Sequence, residues 1–260
     1  MSTALKMGAA GARSKTGGRH TGGRQTGGRH AGGRRWLKWL VIGPVLAVVL
    51  VQLYFFLMIC WWTQFNPSST SMMRTQLSAL RETNPNARLE QAWVSYARIS
   101  NNLKRAVIAS EDANFAEHDG VDWDALEKAY ERNNKRHKVV GGGSTITQQL
   151  AKNLFLSGSR NYLRKGQELV IAYMLEAVMS KQRILEIYLN VVEFGRGVFG
   201  AEAAARHYYR APAASLSAAQ AARLAVMLPN PRYYDAHRQT NYLARRSAII
   251  QRRMNASDVP

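Results

Sequence analysis

The feature that most constrains the fold is an uncharged run of 24 residues from Trp39 to Trp62. As a helix it would extend roughly 36 Å at about 1.5 Å per residue, which is enough to cross the hydrocarbon core of a bilayer. Tryptophans, which favour the membrane interface, lie at or near both ends of the run: Trp36, Trp39, Trp61 and Trp62. The sequence therefore predicts one transmembrane helix over residues 39–62.

Basic residues on the amino side of this run predict its orientation. Arg34, Arg35 and Lys38 precede it, and an excess of Lys and Arg marks the cytoplasmic side of a membrane helix. A cleaved signal peptide is the alternative, but the apolar run is too long for one and no small-x-small cleavage site follows Trp62. We expect a retained anchor with the following chain outside the cytoplasm.

Residues 1–38 form a basic arm that carries nine Lys or Arg and no acid. Its repeats TGGRH, TGGRQ, TGGRH and AGGRR are too rich in glycine to bury a core, so we expect a disordered cytoplasmic arm. Gly-Arg repeats can track nucleic-acid phosphates, but no aromatic residue lies between these arginines to stack on bases. The pattern favours a solvated tail without a nucleic-acid partner. The arm supplies +9 of the formal net charge of +19, so the remaining chain is also basic.

The outer region is predicted to be mainly α. Apolar residues at 184, 185, 188, 189 and 192 recur at helical spacing, and no alternating runs bounded by turns indicate strands. We expect a linker or membrane-proximal segment over residues 63–92 with a short helix near 72–81, a folded domain over 93–240, and a C-terminal helix or tail over 241–260. The only cysteine, Cys60, lies in the membrane run, so the outer domain has no disulfide.

The segment from Gly141 to Glu168 combines a glycine run, an amide-rich helix start and spaced cations. Thr145 and Gln148 have capping-box spacing, which would place Gln148, Gln149 and Lys152 on one helix face. The four cations of the segment suit the oxygens of a large anion such as a phosphate: Lys152, Arg160, Arg164 and Lys165. From charge spacing alone, a solvated helix with one Arg164–Glu168 ion pair remains an equal alternative.

A second candidate element runs from Arg105 to Gly120, where an apolar helix ends at Glu111 and Asp112. Glu111, Phe115 and His118 would share one face. A partly buried carboxylate at such a helix end can act as a general base, whereas the alternative is an ordinary surface acid. The six histidines show no HExxH or similar zinc spacing, so we expect no protein-built metal site.

Together, five ordered motifs resemble family 51 glycosyltransferases, the peptidoglycan glycosyltransferases. They are EDxxFxxHxG, GGSTITQQxxKNLFL, RKxxE, KxRILExYLN and GxFGAEAAARHYY, and they lie between about residues 93 and 234. The short outer domain is similar to the monofunctional members rather than to bifunctional penicillin-binding proteins. The resemblance implies a mainly α, lysozyme-like head with a small membrane-proximal jaw, preceded by one transmembrane helix.

The resemblance also implies a reaction. Lipid II would be polymerised into glycan strands, with inversion at the donor sugar and undecaprenyl pyrophosphate as the leaving group. Glu111 would be the catalytic base and Glu168 the second essential glutamate. The other family positions imply substrate binding by Ser144, Gln148, Gln149, Lys152, Arg160, Arg164 and Lys165. The implied setting is the bacterial inner membrane, single-pass, with the N-terminus cytoplasmic and the catalytic domain periplasmic.

Cofactor and partners follow from the same resemblance. It implies a divalent cation, Mg or Mn, bridged by the substrate, and no organic cofactor. The implied partners are the membrane, lipid II, polyprenyl-pyrophosphate-linked glycan and proteins of cell-wall synthesis or the divisome. Two alternatives are a lytic enzyme on the same fold and a non-enzymatic lipid II-binding scaffold. A lytic enzyme needs no group of four cations for a leaving pyrophosphate, and a scaffold needs neither Glu111 nor Glu168.

Overall fold

The computed structural model describes residues 35–135, 143–156 and 161–260. Residues 1–34 of the predicted arm, Gly141, Gly142 and Arg160 lie outside the described residues. Within the described ranges the helices are α1 (Arg35–Trp62), α2 (Ser71–Thr83), α3 (Asn101–Glu111), α4 (Trp123–Lys135), α5 (Ile146–Phe155), α6 (Tyr162–Val178), α7 (Lys181–Val191), α8 (Ala201–Tyr209), α9 (Ala218–Met227), α10 (Pro231–Ala236) and α11 (Asn241–Arg253). The strands are β1 (Glu90–Gln91), β2 (Glu193–Gly195) and β3 (Val198–Phe199). The prediction of a mainly α chain with one long apolar helix is confirmed.

Helix α1 contains the whole apolar run, Trp39–Trp62, and is long and apolar enough to cross a membrane. The surface of α1 exposes large aliphatic side chains such as Val49, Leu50 and Leu53, as expected of a helix surrounded by lipid. The described residues fall into two compact units, one ending at Ala47 and one running from Val48 to Pro260. The C-terminal half of α1 therefore belongs to the same unit as the folded domain.

A reciprocal amide pair joins this C-terminal half of α1 to α6. The Gln52 side chain donates to Gln167 Oε1 at 2.7 Å, and the Gln167 side chain donates to Gln52 Oε1 at 2.9 Å. A glutamine in an apolar helix is costly unless both its donor and its acceptor are satisfied, and this pair satisfies both. The pair holds α1 beside the helix that begins at Tyr162.

The end of α1 is held by aromatic and charged contacts. The rings of Phe55 and Trp62 pack on Phe155 at centroid distances of 4.7 and 5.1 Å. The Arg183 guanidinium donates to the backbone carbonyls of Trp62 and Phe65 at 2.8 to 3.0 Å. The Trp62 carbonyl ends α1 and the Phe65 carbonyl lies in the turn that follows it, so the cation satisfies both and complements the helix dipole.

Short polar side chains begin most of the helices. Each accepts a hydrogen bond from a backbone N–H of the first turn, which would otherwise lack a partner. These N-cap residues are Thr70, Ser100, Thr145, Asn161, Ser180, Ser217 and Thr240. The cap at Thr145 confirms the predicted start of α5, and α2 matches the short helix predicted near 72–81.

The core is built from two helix packings. In one, α3 lies against α9, and α11 covers α9. In the other, α5 lies against α6 and α7, with α2 also packed on α5. Leu103, Leu150, Ile171 and Leu224 are fully buried along these contacts. The ends of α3, α5 and α6 are thereby held by rigid helix packing.

Three strands of two or three residues form a small sheet in the order β1-β3-β2, with β1 parallel and β2 antiparallel to β3. Such short strands carry no alternating pattern, which is why the sequence did not predict them. The sheet ends at Gly200, whose φ is +83°. A Cβ there would lie 2.6 Å from the Asn190 carbonyl oxygen, so only glycine fits.

Candidate functional site

Glu111 is the last residue of α3, and its carboxylate lies beside the N-terminal turn of α5. Gln149 Nε2 donates to Glu111 Oε2 at 2.9 Å, and Ser110 Oγ lies 3.2 Å from Oε1. Burial raises the pKa of the Glu111 carboxyl, while the two hydrogen bonds and the Arg246 guanidinium oppose part of that rise. A carboxylate with increased proton affinity in a partly open position is suited to accept a proton.

The neighbouring Asp112 has a different role. Its Oδ2 accepts from the backbone N–H of Ile146 at 2.9 Å, and its Oδ1 lies 2.9 Å from His118 Nε2. Asp112 therefore ties the end of α3 to the first turn of α5. Phe115, which follows in the same motif, is fully buried. These contacts make Asp112, Phe115 and His118 supports for the end of α3, where Glu111 lies.

A second group of polar side chains gathers around Lys165 near the start of α6. Lys165 Nζ donates to Ser144 Oγ at 3.1 Å, to Gln148 Oε1 at 3.2 Å and to Glu168. Arg164 donates to the other Glu168 oxygen at 2.7 Å, which is the predicted i,i+4 pair. Glu168 is buried and therefore has little access to water. Its two carboxylate oxygens accept hydrogen bonds from the two cations instead.

Gln148 is thus not the reciprocal partner of a capping box. Thr145 accepts from the Gln148 backbone N–H, as predicted, but the Gln148 side chain turns to Lys165. The amide oxygen is a better partner for an ammonium group than for the N-cap N–H because the donor is charged. The capping-box spacing therefore located the helix start and missed the side-chain contact.

Lys152 lies between the two groups, one turn after Gln148 on α5. Burial lowers the pKa of the Lys152 ammonium, against the opposing fields of Glu168 and Glu111. No ion pair joins Lys152 to an acid within the described residues. Its position makes α5 the element that connects Glu111 to the cations of α6.

A cavity of about 140 Å³ opens beside Glu111 and reaches Ser144 and Thr145. Asp122 and Arg132 contribute to its other wall. Glu111 and the Ser144 end of the cation group therefore face a common space. A hydroxyl group in this space could reach Glu111 while an anion contacted the cations.

Eight of the nine predicted site residues are described and lie in this one region: Glu111, Glu168, Ser144, Gln148, Gln149, Lys152, Arg164 and Lys165. Arg160 lies outside the described residues. Sequence reasoning did not single out Tyr188, whose hydroxyl donates to Gln149 Oε1, or Arg246, which comes from the predicted C-terminal helix or tail. Tyr188 lies within the YLN motif, whereas no local pattern marks Arg246.

A family model described as Transglycosylase matches residues 77–255, which is more than two thirds of the chain. The chain belongs to the transglycosylase family. The matched span of this transglycosylase runs from within α2 to just past the end of α11, so it includes both Glu111 and Arg246.

Curated relatives of this transglycosylase are similar over nearly their whole length. A biosynthetic peptidoglycan transglycosylase of Janthinobacterium sp. (strain Marseille) is 70% identical over 86% of this chain and 97% of its own. The protein of the same name from Herminiimonas arsenicoxydans is 68% identical over the same shares. That from Laribacter hongkongensis (strain HLHK9) is 57% identical over 86% of this chain and all of its own.

Proposed function

We propose that this transglycosylase polymerises lipid II into peptidoglycan glycan strands. The observation that carries the proposal is that α5 brings Glu111 and a cation group into one region: Gln149 contacts Glu111, Gln148 contacts Lys165, and Lys152 lies near both. A polymerase that expels a pyrophosphate needs a base at one side of the reacting carbon and positive charge at the other. The family match and the names of the relatives give the substrate class.

The proposed reaction is a single displacement with inversion. The 4-hydroxyl oxygen of the acceptor sugar forms a bond to C1 of the donor sugar, and the bond from C1 to the pyrophosphate oxygen breaks. The hydroxyl proton passes to Glu111, and the bonding electron pair leaves with the pyrophosphate. Burial raises the pKa of Glu111, which favours proton uptake at the moment of attack.

The leaving pyrophosphate would be stabilised by the cations of α5 and α6. Arg164 and Lys165 are already paired with Glu168, so their positions are fixed before substrate arrives. Fixed charges need little reorganisation as negative charge develops, which is what makes them effective. Lys152 and Arg160 would supply further positive charge, and the leaving group then needs no proton donor.

Glu168 acts in this proposal as the residue that holds the cations. Its two oxygens contact Arg164 and Lys165 separately, so it spaces the two positive groups rather than facing the sugar. Ser144, Gln148 and Gln149 are the proposed contacts to the donor and its phosphates. Lys165 already brings Ser144 and Gln148 together, and Gln149 follows Gln148 on α5 beside Glu111.

The donors near the site do not fit a protein-built divalent site. Within the described ranges no three His, Cys, Asp or Glu side chains gather to hold a metal, and both Glu168 oxygens are occupied by cations. We propose that any Mg²⁺ or Mn²⁺ is carried by the pyrophosphate oxygens, which are the hard ligands such ions prefer. No step of the reaction is assigned to it.

The anchor fits a substrate whose polyprenyl chain stays in the lipid. We propose a single-pass inner-membrane protein with its N-terminus in the cytoplasm and the catalytic domain in the periplasm, following the basic residues before the apolar run. Tyr162 and Leu163, at the start of α6, are almost fully exposed, and such side chains suit a membrane surface. Proteins of cell-wall synthesis or the divisome are further proposed partners.

The test uses the full-length protein in detergent or liposomes with labelled lipid II and a divalent cation. We expect long glycan strands on a gel and release of undecaprenyl pyrophosphate. A second reaction with preformed glycan should leave its length unchanged. Shortening of that glycan would favour the lytic alternative, and binding of lipid II without turnover would favour the scaffold.

A further inference from the structure

Tyr188 is the largest fully buried side chain next to the proposed base. It lies on α7, and its phenol oxygen is 2.9 Å from Gln149 Oε1. Burial, reinforced by the negative charges of Glu111 and Asp112, raises the pKa of this phenol well above its ordinary value. The hydroxyl therefore keeps its proton and needs an acceptor, because a buried donor without one is costly.

Gln149 provides that acceptor at one end of its amide and a donor at the other. Its Oε1 accepts from Tyr188, and its Nε2 donates to Glu111 Oε2 at 2.9 Å. An amide has one accepting and one donating end, so its orientation depends on its neighbours. If the amide were reversed, the Tyr188 hydroxyl would face an NH₂ group and Glu111 would face an oxygen.

The two orientations favour different forms of Glu111. An ionised carboxylate only accepts hydrogen bonds, so it requires the NH₂ end of Gln149. A protonated carboxyl group can donate to the amide oxygen instead. The orientation in which Gln149 donates to Glu111 and accepts from Tyr188 matches the ionised form, which is the form that can take a proton from an acceptor hydroxyl.

We infer that Tyr188 is a positioning residue that fixes the Gln149 amide in the donating orientation and thereby keeps Glu111 ready as a base. The inference rests on the proposed function and adds a residue that touches neither substrate nor the reacting atoms. Its physical basis is a chain of two hydrogen bonds that joins α7 to α5 and α5 to the end of α3.

Other charged groups also face Glu111, and they set the background for any change in its titration. They are Asp112 beside it on the chain, Lys152 from α5, Arg246 from α11, and Asp122 and Arg132 across the cavity. Tyr188→Phe alters none of these charges. It removes only the hydroxyl that holds the amide.

The expected sign follows from the hydrogen bond that would be lost. Donation from Gln149 lowers the pKa of Glu111, so losing a fixed donor raises it. A base with a higher pKa is protonated over a wider acidic range. The acidic limb of kcat/KM should therefore move to higher pH, with recovery of the rate above the limb.

The experiment measures kcat/KM for lipid II polymerisation against pH with the full-length protein. Tyr188→Phe should shift the acidic limb upward by about 0.5 to 1 pH unit. This is less than the roughly 1 to 2 units for complete loss of a hydrogen bond to a charged group, because the Gln149 amide is freed but not removed. At pH values below the limb the rate should fall by roughly 3- to 10-fold. Tyr209→Phe is the matched control, because its hydroxyl lies beside the Gln220 carbonyl and should leave the limb in place.

A loss of rate that is equal at every pH, or an unshifted limb in a folded variant, would overturn the inference. Should Tyr188→Phe unfold, the double variant Tyr188→Phe/Gln149→Met tests the same chain of hydrogen bonds, since replacing both partners leaves no unpaired polar group between α7 and α5. It must raise the limb, and an unshifted limb again overturns the inference. If wild type makes no polymer, the proposed function fails, whereas an active wild type with unshifted variants refutes only the role of Tyr188.

Discussion

Replacing Glu168 with glutamine tests whether this residue holds the cation group together. Its side chain is 4% exposed and contacts Arg164, which is 17% exposed, and Lys165, which is 39% exposed. Loss of one partner from a buried ion pair costs about 3–5 kcal/mol, but the partly solvated Lys165 contributes little of this. Because glutamine keeps one acceptor oxygen, we expect a loss of about 2–3 kcal/mol in the free energy of unfolding.

The expected loss in the free energy of unfolding corresponds to a lower midpoint of thermal unfolding. In a domain of about 200 residues, each kcal/mol lowers the midpoint of thermal unfolding by about 2–4 °C, so Glu168→Gln should lower it by roughly 4–12 °C. Circular dichroism of the full-length protein in detergent measures the midpoint. The matched control is Glu131→Gln on α4, which loses an exposed i,i+4 pair with Lys135 at 3.8 Å and should change it little.

Two outcomes would refute this reasoning. One is an unfolding midpoint for Glu168→Gln that equals that of the Glu131→Gln control. The other is a variant that loses stability but polymerises lipid II at the wild-type rate, because displaced cations should no longer stabilise the pyrophosphate. Either result would mean that the ion pairs around Glu168 do not organise the site.

Two further predictions concern α5 and the anchor. Lys152→Gln should lower kcat for polymerisation by about 100-fold, because a preorganised charge is lost from the leaving-group side. Its thermal stability should stay the same or rise, because a buried charge is removed. Steady-state rates with lipid II, compared with those of the exposed control Lys128→Gln, check this prediction. Gln52→Leu and Gln167→Leu should each lower the free energy of unfolding by about 0.6 kcal/mol, and the double variant should lower it by less than the sum. A double-mutant cycle on thermal unfolding measures this coupling, and full additivity would contradict the amide pair.

Local patterns predicted the parts of the site that lie close together in the chain. The start of α5 at Thr145 follows from capping chemistry, and the Arg164–Glu168 pair follows from helical spacing. The position of Glu111 at a polar helix end was also visible. These features depend on neighbours three or four residues away, which a sequence reports directly.

Contacts between distant segments could not be predicted in the same way. Tyr188 and Gln149 are 39 residues apart, and Gln52 and Gln167 are 115 apart. Their meeting depends on how helices pack, and many packings satisfy the same apolar pattern. The strands were missed because two or three residues, such as Val198–Phe199, are too short to show a period.

The central claim is that Glu111 accepts the proton of the attacking hydroxyl, and Glu111→Gln tests it most directly. The glutamine has nearly the same shape and cannot take the proton, so the polymerisation rate should fall by about 10²–10⁴-fold while lipid II still binds. Glu127→Gln, an exposed change on α4, should polymerise at the wild-type rate. Polymer from Glu111→Gln at the wild-type rate would contradict the account.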